Sequence, residues 1–327
     1  MNRYFDEPKL FAEARKGGRG LKWVLEILVL IAVTIVAMSI ESIPVTIATF
    51  MNFFIDPDII LSAIGTASEG NYSILAIIDA ALEAVDKVPE WITVVSLFST
   101  ALMTLIVILF CRVIQKRGAK SMGLRMNGFW KEYLLGGLFG VVMLAVAVGL
   151  GLVSGTMRIS IAENFSFILI IIYLAGYIVQ GMSEEVLCRG YFMTSFARKN
   201  PLWLAVIINS VYFGLLHFAN TGFGILPFIN LTLTGLVFSC YMIKRGNIWG
   251  VCAMHSMWNF FQGNIFGFAV SGSNLTASIF RVTQVNGGNL FNGGTFGIEG
   301  GLWDTIVELL ALGFIIFILP QKNDEFR

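Results

Sequence analysis

The chain holds two histidines, His217 and His255, and both fall in long apolar stretches. A glutamate pair, Glu184-Glu185, lies in another such stretch with Arg189 close behind. A charged side chain at the centre of a membrane helix costs roughly 2.5–3.5 kcal/mol on insertion scales, so such residues are candidates for function. Helical spacing suggests a division of labour. Successive residues advance about 100°, so Glu185 and Arg189, at i and i+4, share a face and can pair. Glu184 points elsewhere, has no cation on its own helix, and suits a general base. Two further pairs stand at i,i+4: Phe213 with His217, and His255 with Asn259. Gln262 continues the His255 face at i+7, giving an apolar helix one hydrogen-bonding surface turned inward. Asn209 and Asn230 read either as part of the same cavity or, in the favoured reading, as amides that join helices, an ordinary role inside membranes.

The elements that position these groups follow from composition. Hydrophobic residues make up 56% of the 327 residues and charged residues 13%, with a mean hydropathy of +0.78. A soluble domain carries about 25% charged residues, so this chain reads as one solvated by lipid. A net charge of +1 gives no global field for nucleic acid. The four cysteines, Cys111, Cys188, Cys240 and Cys252, lack metal-ligand or disulfide spacing and read as small core residues.

A helix needs about 20 apolar residues to cross the hydrocarbon core. Eight segments qualify: Trp23–Ile43, Trp91–Ile114, Tyr133–Val153, Phe165–Ala197, Leu202–Ala219, Phe223–Ile243, Ile248–Val270 and Leu302–Pro320. The fold expected is an all-α polytopic membrane bundle of about eight helices. The mixed, charged stretch Met1–Lys22 and the long first apolar run argue against a cleaved signal peptide. Between the first two spans lies an acidic segment whose part Ile74–Val85 has the spacing of a surface helix. The connection Val270–Gly300 is rich in Gly and Asn and reads as an irregular loop. With the N-terminus in the cytosol, eighteen basic residues fall inside and three outside, Arg189 completing the 22. The positive-inside rule therefore puts both termini in the cytosol.

The organisation expected is a cytosolic segment 1–22, N-terminal transmembrane helices with the acidic extracytoplasmic loop over 23–160, a catalytic core over 161–270, and 271–327 as loop, last span and tail. Depth supports a meeting of Glu184 and His217. Each lies about 20–25 Å along its helix from the turn Arg198-Lys199-Asn200-Pro201. His255, eight residues past Asn247, lies only about 12 Å from its own turn, and meets the others only if its helix tilts or begins deeper.

The three elements Glu184-Glu185-x-x-x-Arg189, Phe213-x-x-x-His217 and His255-x-x-x-Asn259 resemble, in order and separation, the motifs of the CAAX protease and bacteriocin-processing family of intramembrane endopeptidases. Gly235 followed by Lys244-Arg245 adds to the likeness, which covers roughly residues 170–265. Cys188 stands where the family often has an aromatic residue. The resemblance implies that Glu184 and His217 activate a water, that His255 and Asn259 donate to the oxyanion, and that Glu185, Arg189 and Phe213 support the site. Neither Ser183 nor Cys188 has a base at a recognisable spacing, so no covalent nucleophile is expected.

The resemblance favours glutamate-activated water without a metal cofactor. A three-ligand zinc site built from the histidines and glutamates is the alternative, although the H-E-x-x-H pattern is missing. Eukaryotic members trim the last three residues of prenylated proteins; bacterial ones are linked to peptide maturation, leader cleavage or immunity. The expected partners are the bilayer and a peptide or protein substrate at the membrane, lipidated or not, and the expected location is the bacterial plasma membrane. Two non-proteolytic readings compete: a scaffold or immunity-type binding protein, and a proton-coupled transporter, for which no internal repeat is visible.

Overall fold

The computed structural model describes residues 7–18, 20–55, 89–163, 165–273, 277–285, 287 and 289–322. The expected surface helix Ile74–Val85 lies outside these residues. Among the described residues the apolar runs become helices α1 (Lys9–Lys16), α2 (Trp23–Ile55), α3 (Glu90–Val113), α4 (Phe129–Val153) and α5 (Phe167–Glu185). They continue with α6 (Leu202–Leu215), α7 (Ile225–Arg245), α8 (Trp249–Phe260) and α9 (Leu302–Phe317). Proline and glycine set several boundaries. Pro8, Pro89 and Pro201 stand immediately before α1, α3 and α6. Gly246, at φ 69°, ends α7 in the left-handed conformation that glycine adopts freely.

The chain is a polytopic α-helical membrane protein. Among the described residues, five helical runs are long and apolar enough to cross a bilayer: Trp23–Asn52, Glu90–Val113, Phe129–Val153, Phe167–Phe196 and Ile225–Arg245. Four expectations about the elements change. The first helix does not stop before Pro44 but runs through it to Ile55, as membrane helices often do because neighbouring polar groups absorb the lost hydrogen bond. The fourth span continues past Glu185 as a π-helix, Val186–Met193, before closing with Thr194–Phe196. The fifth stops at Leu215 after 14 residues. At about 21 Å it is shorter than the hydrocarbon core, so its following turn lies within the bundle. Finally, the 270–300 connection is not wholly irregular. It carries strand β2 (Phe280–Gln284), which pairs antiparallel with β1 (Met157–Ile161) in the register Ile159↔Val282.

The segments expected in the cytosol gather at one end. Arg198 donates to the carbonyls of Gly17 and Gly18. Arg117 reaches Thr194 and Ser195. The backbone N–H of Lys322 meets the carbonyl of Lys244, and Arg245 and Lys322 both pair with Glu132. The β1–β2 pair lies beyond the far end of α4. The cysteines are buried, which leaves the native chain a quiet background for thiol labelling. Lys120 and Ser160 are exposed. A cysteine at Lys120 should react with an impermeant maleimide only after the membrane is opened, and one at Ser160 in intact cells. The reverse pattern would invert the topology.

Candidate active site

Close backbone approach comes first. A Cβ on Gly181 of α5 would fall 2.8 Å from the backbone nitrogen of Ser256 on α8. No larger residue allows this spacing without a shift, and small residues at such crossings are how membrane helices pack tightly. The crossing sets His255, next to Ser256, against Glu184 and Glu185, three and four residues after Gly181. Gly140 of α4 likewise lies against the backbone of Met254, which fixes α8 from its other side.

The depth of His255 is resolved by where α8 begins. Ile248 is fully buried, and its N–H bonds to the carbonyl of Gly123 at 3.1 Å. Its side chain lies beside Gly190, five residues past Glu185. The start of α8 is thus level with Gly190, in the π-helical continuation of α5, eight residues before Arg198. His255, seven residues beyond Ile248, reaches the glutamates without unusual tilt.

Glu185 is fully buried and its Oε1 accepts twice, from Arg189 Nη1 at 2.8 Å and from His255 Nδ1 at 2.9 Å. Arg189 also donates through Nη2 to the carbonyl of Gly235 at 3.3 Å. Its guanidinium lies 4.4 Å from the ring centroid of Phe213 and 5.3 Å from that of Phe238. Phe213 packs edge-on against both histidines, with centroids 5.2 Å from His217 and 5.9 Å from His255. The expected partnership of Glu185 with Arg189 is present, and Glu185 also holds His255.

Glu184 occupies a different environment, as the 100° step requires. Its Oε1 accepts from Gln180 Nε2 at 2.5 Å, and its Oε2 lies 3.9 Å from His255 Nε2. That Oε2 is buried with no hydrogen-bond partner among the described residues. Gln180 in turn accepts from Asn259 Nδ2 at 3.1 Å. His217 stands in the turn after α6, and its Nδ1 lies 3.0 Å from the carbonyl of Phe213. A carbonyl only accepts, so Nδ1 carries the proton and Nε2 is left free in the neutral ring.

Glu184, His217 and Asn259 line one cavity of about 290 Å³, together with Gln180, Asn220 and Glu41. His255 is not in its lining and sits one layer behind Glu184. Gln262 does not join the cavity either. The helix widens to a π turn at Phe261, and the amide of Gln262 donates to the Ala269 carbonyl and to Glu299. Asn209 and Asn230 act as joints, to Ser239 and to the carbonyls of Glu299 and Gly301. Ser183 donates to the Thr100 carbonyl, and Cys188 is fully buried outside the cavity. Sequence reasoning missed Gln180, although the i,i+4 rule that paired Glu185 with Arg189 also pairs Gln180 with Glu184. It missed Glu41 too, which stood within the first expected span as an intramembrane charge.

Arg189→Ala should leave Glu185 buried with half its partners gone, at a cost of about 3–5 kcal/mol. Thermal unfolding in detergent should show a large fall in midpoint, and Arg189→Ala/Glu185→Ala should recover part of it. A midpoint unchanged in the single variant would contradict the structural role.

Residues 164–261 match the sequence model of the family described as Type II CAAX prenyl endopeptidase Rce1-like. No curated protein and no solved structure matches the chain. The matched segment carries both glutamates, Arg189, Phe213, both histidines and Asn259. This segment is therefore similar to the Rce1-like type II CAAX prenyl endopeptidases over the helices that carry the site.

Proposed function

We propose that the chain cleaves a peptide bond in a peptide or protein substrate at the bacterial plasma membrane, lipidated or not, by attack of a water that Glu184 and His217 activate. The observation that carries this reading is the convergence of Glu184, His217 and Asn259, from three separate segments, on one cavity.

A water beside Glu184 gives its proton to the carboxylate as its oxygen attacks the scissile carbonyl carbon. His217 Nε2, with its opposite nitrogen tied to the Phe213 carbonyl, is the second acceptor for the water. The carbonyl oxygen becomes an oxyanion. Asn259 Nδ2 uses one N–H on Gln180 and has another to offer. His255 Nε2 lies behind the cavity wall, 3.9 Å from Glu184 Oε2, and with its Nδ1 proton held by Glu185 it donates on the same side only as the doubly protonated imidazolium. A preorganised oxyanion donor is worth about 3–4 kcal/mol in a water-poor site. Collapse of the tetrahedral intermediate breaks the C–N bond, and the proton held by Glu184 passes to the leaving amine.

The donor set favours chemistry without a metal. Glu185 Oε1 is already committed to Arg189 and His255. Among the described residues no group of three or more His, Cys, Asp or Glu is arranged to hold an ion.

Two measurements test the reading. Glu184→Gln should lower cleavage on the order of 10²–10⁴-fold with the thermal midpoint retained. A comparison of new peptide termini in membranes from wild type and this variant would reveal the substrate as well. Full activity in Glu184→Gln would remove Glu184 as the base, and unchanged termini would favour a scaffold or transporter. Treatment with 1,10-phenanthroline should leave cleavage intact, whereas inhibition reversed by added zinc would install a metalloprotease.

A further inference from the structure

The cavity has a wall that the family match does not include. Met38 and Glu41 of α2, and Thr100 and Met103 of α3, face the side formed by Glu184 and His217. Glu41 is directed inward by the docking of α2. Thr34 and Ala37, at i−7 and i−4 from Glu41, are buried and share its face. Thr34 is hydrogen-bonded to Tyr212 of α6 at 2.5 Å.

Glu41 Oε2 is buried, yet it has no hydrogen-bond partner among the described residues. The mechanism above makes no use of it. An intramembrane carboxylate is expected to face a cavity and to pair with a cation or a donor. Among the described residues no lysine or arginine lines the cavity, and the carboxylates Glu41 and Glu184 each keep one buried oxygen without a hydrogen-bond partner. Glu184 has Gln180 and His255 close by. Among the described residues none supplies the partner that Glu41 Oε2 lacks, and a substrate seated in the cavity can.

We propose that Glu41 is a specificity-determining residue that receives a lysine or arginine side chain of the peptide substrate, close to the scissile bond. This rests on the endopeptidase reading for its substrate class. A cationic side chain supplies the N–H donors and the opposite charge that a carboxylate in a low-dielectric site lacks, and hydrogen bonds to charged groups are the stronger kind. Its long apolar stem also matches Met38 and Met103 in the same wall.

The test uses the purified full chain in nanodiscs and apolar quenched-fluorescent peptides. In each peptide, one position flanking the scissile bond is lysine or its uncharged counterpart norleucine. Binding is measured in Glu184→Gln, so that no turnover is needed. At one position the lysine peptide should bind about tenfold or more tightly than the norleucine peptide. Adding Glu41→Gln should erase that difference, and Glu41→Lys should turn the preference toward a glutamate peptide. A preference that survives Glu41→Gln, or none at any position, overturns the proposal. Glu41→Asp serves as a second variant if the Gln form fails to fold. Cleavage of the same peptides by wild type separates the two ideas. Selective binding without cleavage would retain the cation site and reject the protease reading, and cleavage without selectivity would do the opposite.

Discussion

One carboxylate oxygen, Oε1 of Glu185, holds together the helices around the candidate site. It accepts from Arg189 on its own helix and from His255 on α8, in a place without water access. Arg189 extends the joint to α7 through the Gly235 carbonyl and to α6 through the face of Phe213. Four helices thus meet at one buried ion pair. Buried pairs are costly to desolvate, and breaking one costs more than the pair contributes, so their value lies in fixing a single arrangement. That arrangement determines what its neighbour does. With Glu185 turned into the joint, the helical step leaves Glu184 to face the cavity.

The division between the two glutamates was legible because it needs only the 100° step and the position of Arg189. The partners of Phe213 were legible only in part. The spacing of four pairs its ring with His217, as found, but says nothing of the guanidinium or of His255, which the ring also touches. The level of His255 stayed open between a tilted helix and a deeper start for a reason of the same kind. Counting residues from a turn assumes that all turns lie at one height. The α7–α8 turn instead sits inside the bundle with Ile248 against Gly190, a fact of packing that no local pattern records. The first span, expected to end at Ile43, runs on through Pro44, because a proline that stops a helix in water is tolerated in lipid.

The π-helical stretch Val186–Met193 begins directly after the two glutamates, and wide turns of this kind concentrate at functional sites. Here it follows the site and lies entirely buried. The turn after α6 also serves the site. Its early end leaves His217 outside the regular helix, bonded back to Phe213. Asn220 is tied to the carbonyl of Ser271, so the connection after α8 folds over that turn. The cavity is thus completed by segments from well outside the matched core, including α2 and α3, whose contribution from sequence alone was simply that they were apolar.

Each imidazole is anchored through Nδ1, to Glu185 or to the Phe213 carbonyl. With two histidines in the chain, solid-state NMR of the ¹⁵N-histidine-labelled protein in bilayers reads this directly. The account predicts a protonated, hydrogen-bonded Nδ1 for both rings, an unprotonated Nε2 in the neutral His217, and a Glu185→Gln variant that perturbs His255 far more than His217. A neutral His217 with its proton on Nε2, or a His255 unaffected by Glu185→Gln, would contradict it.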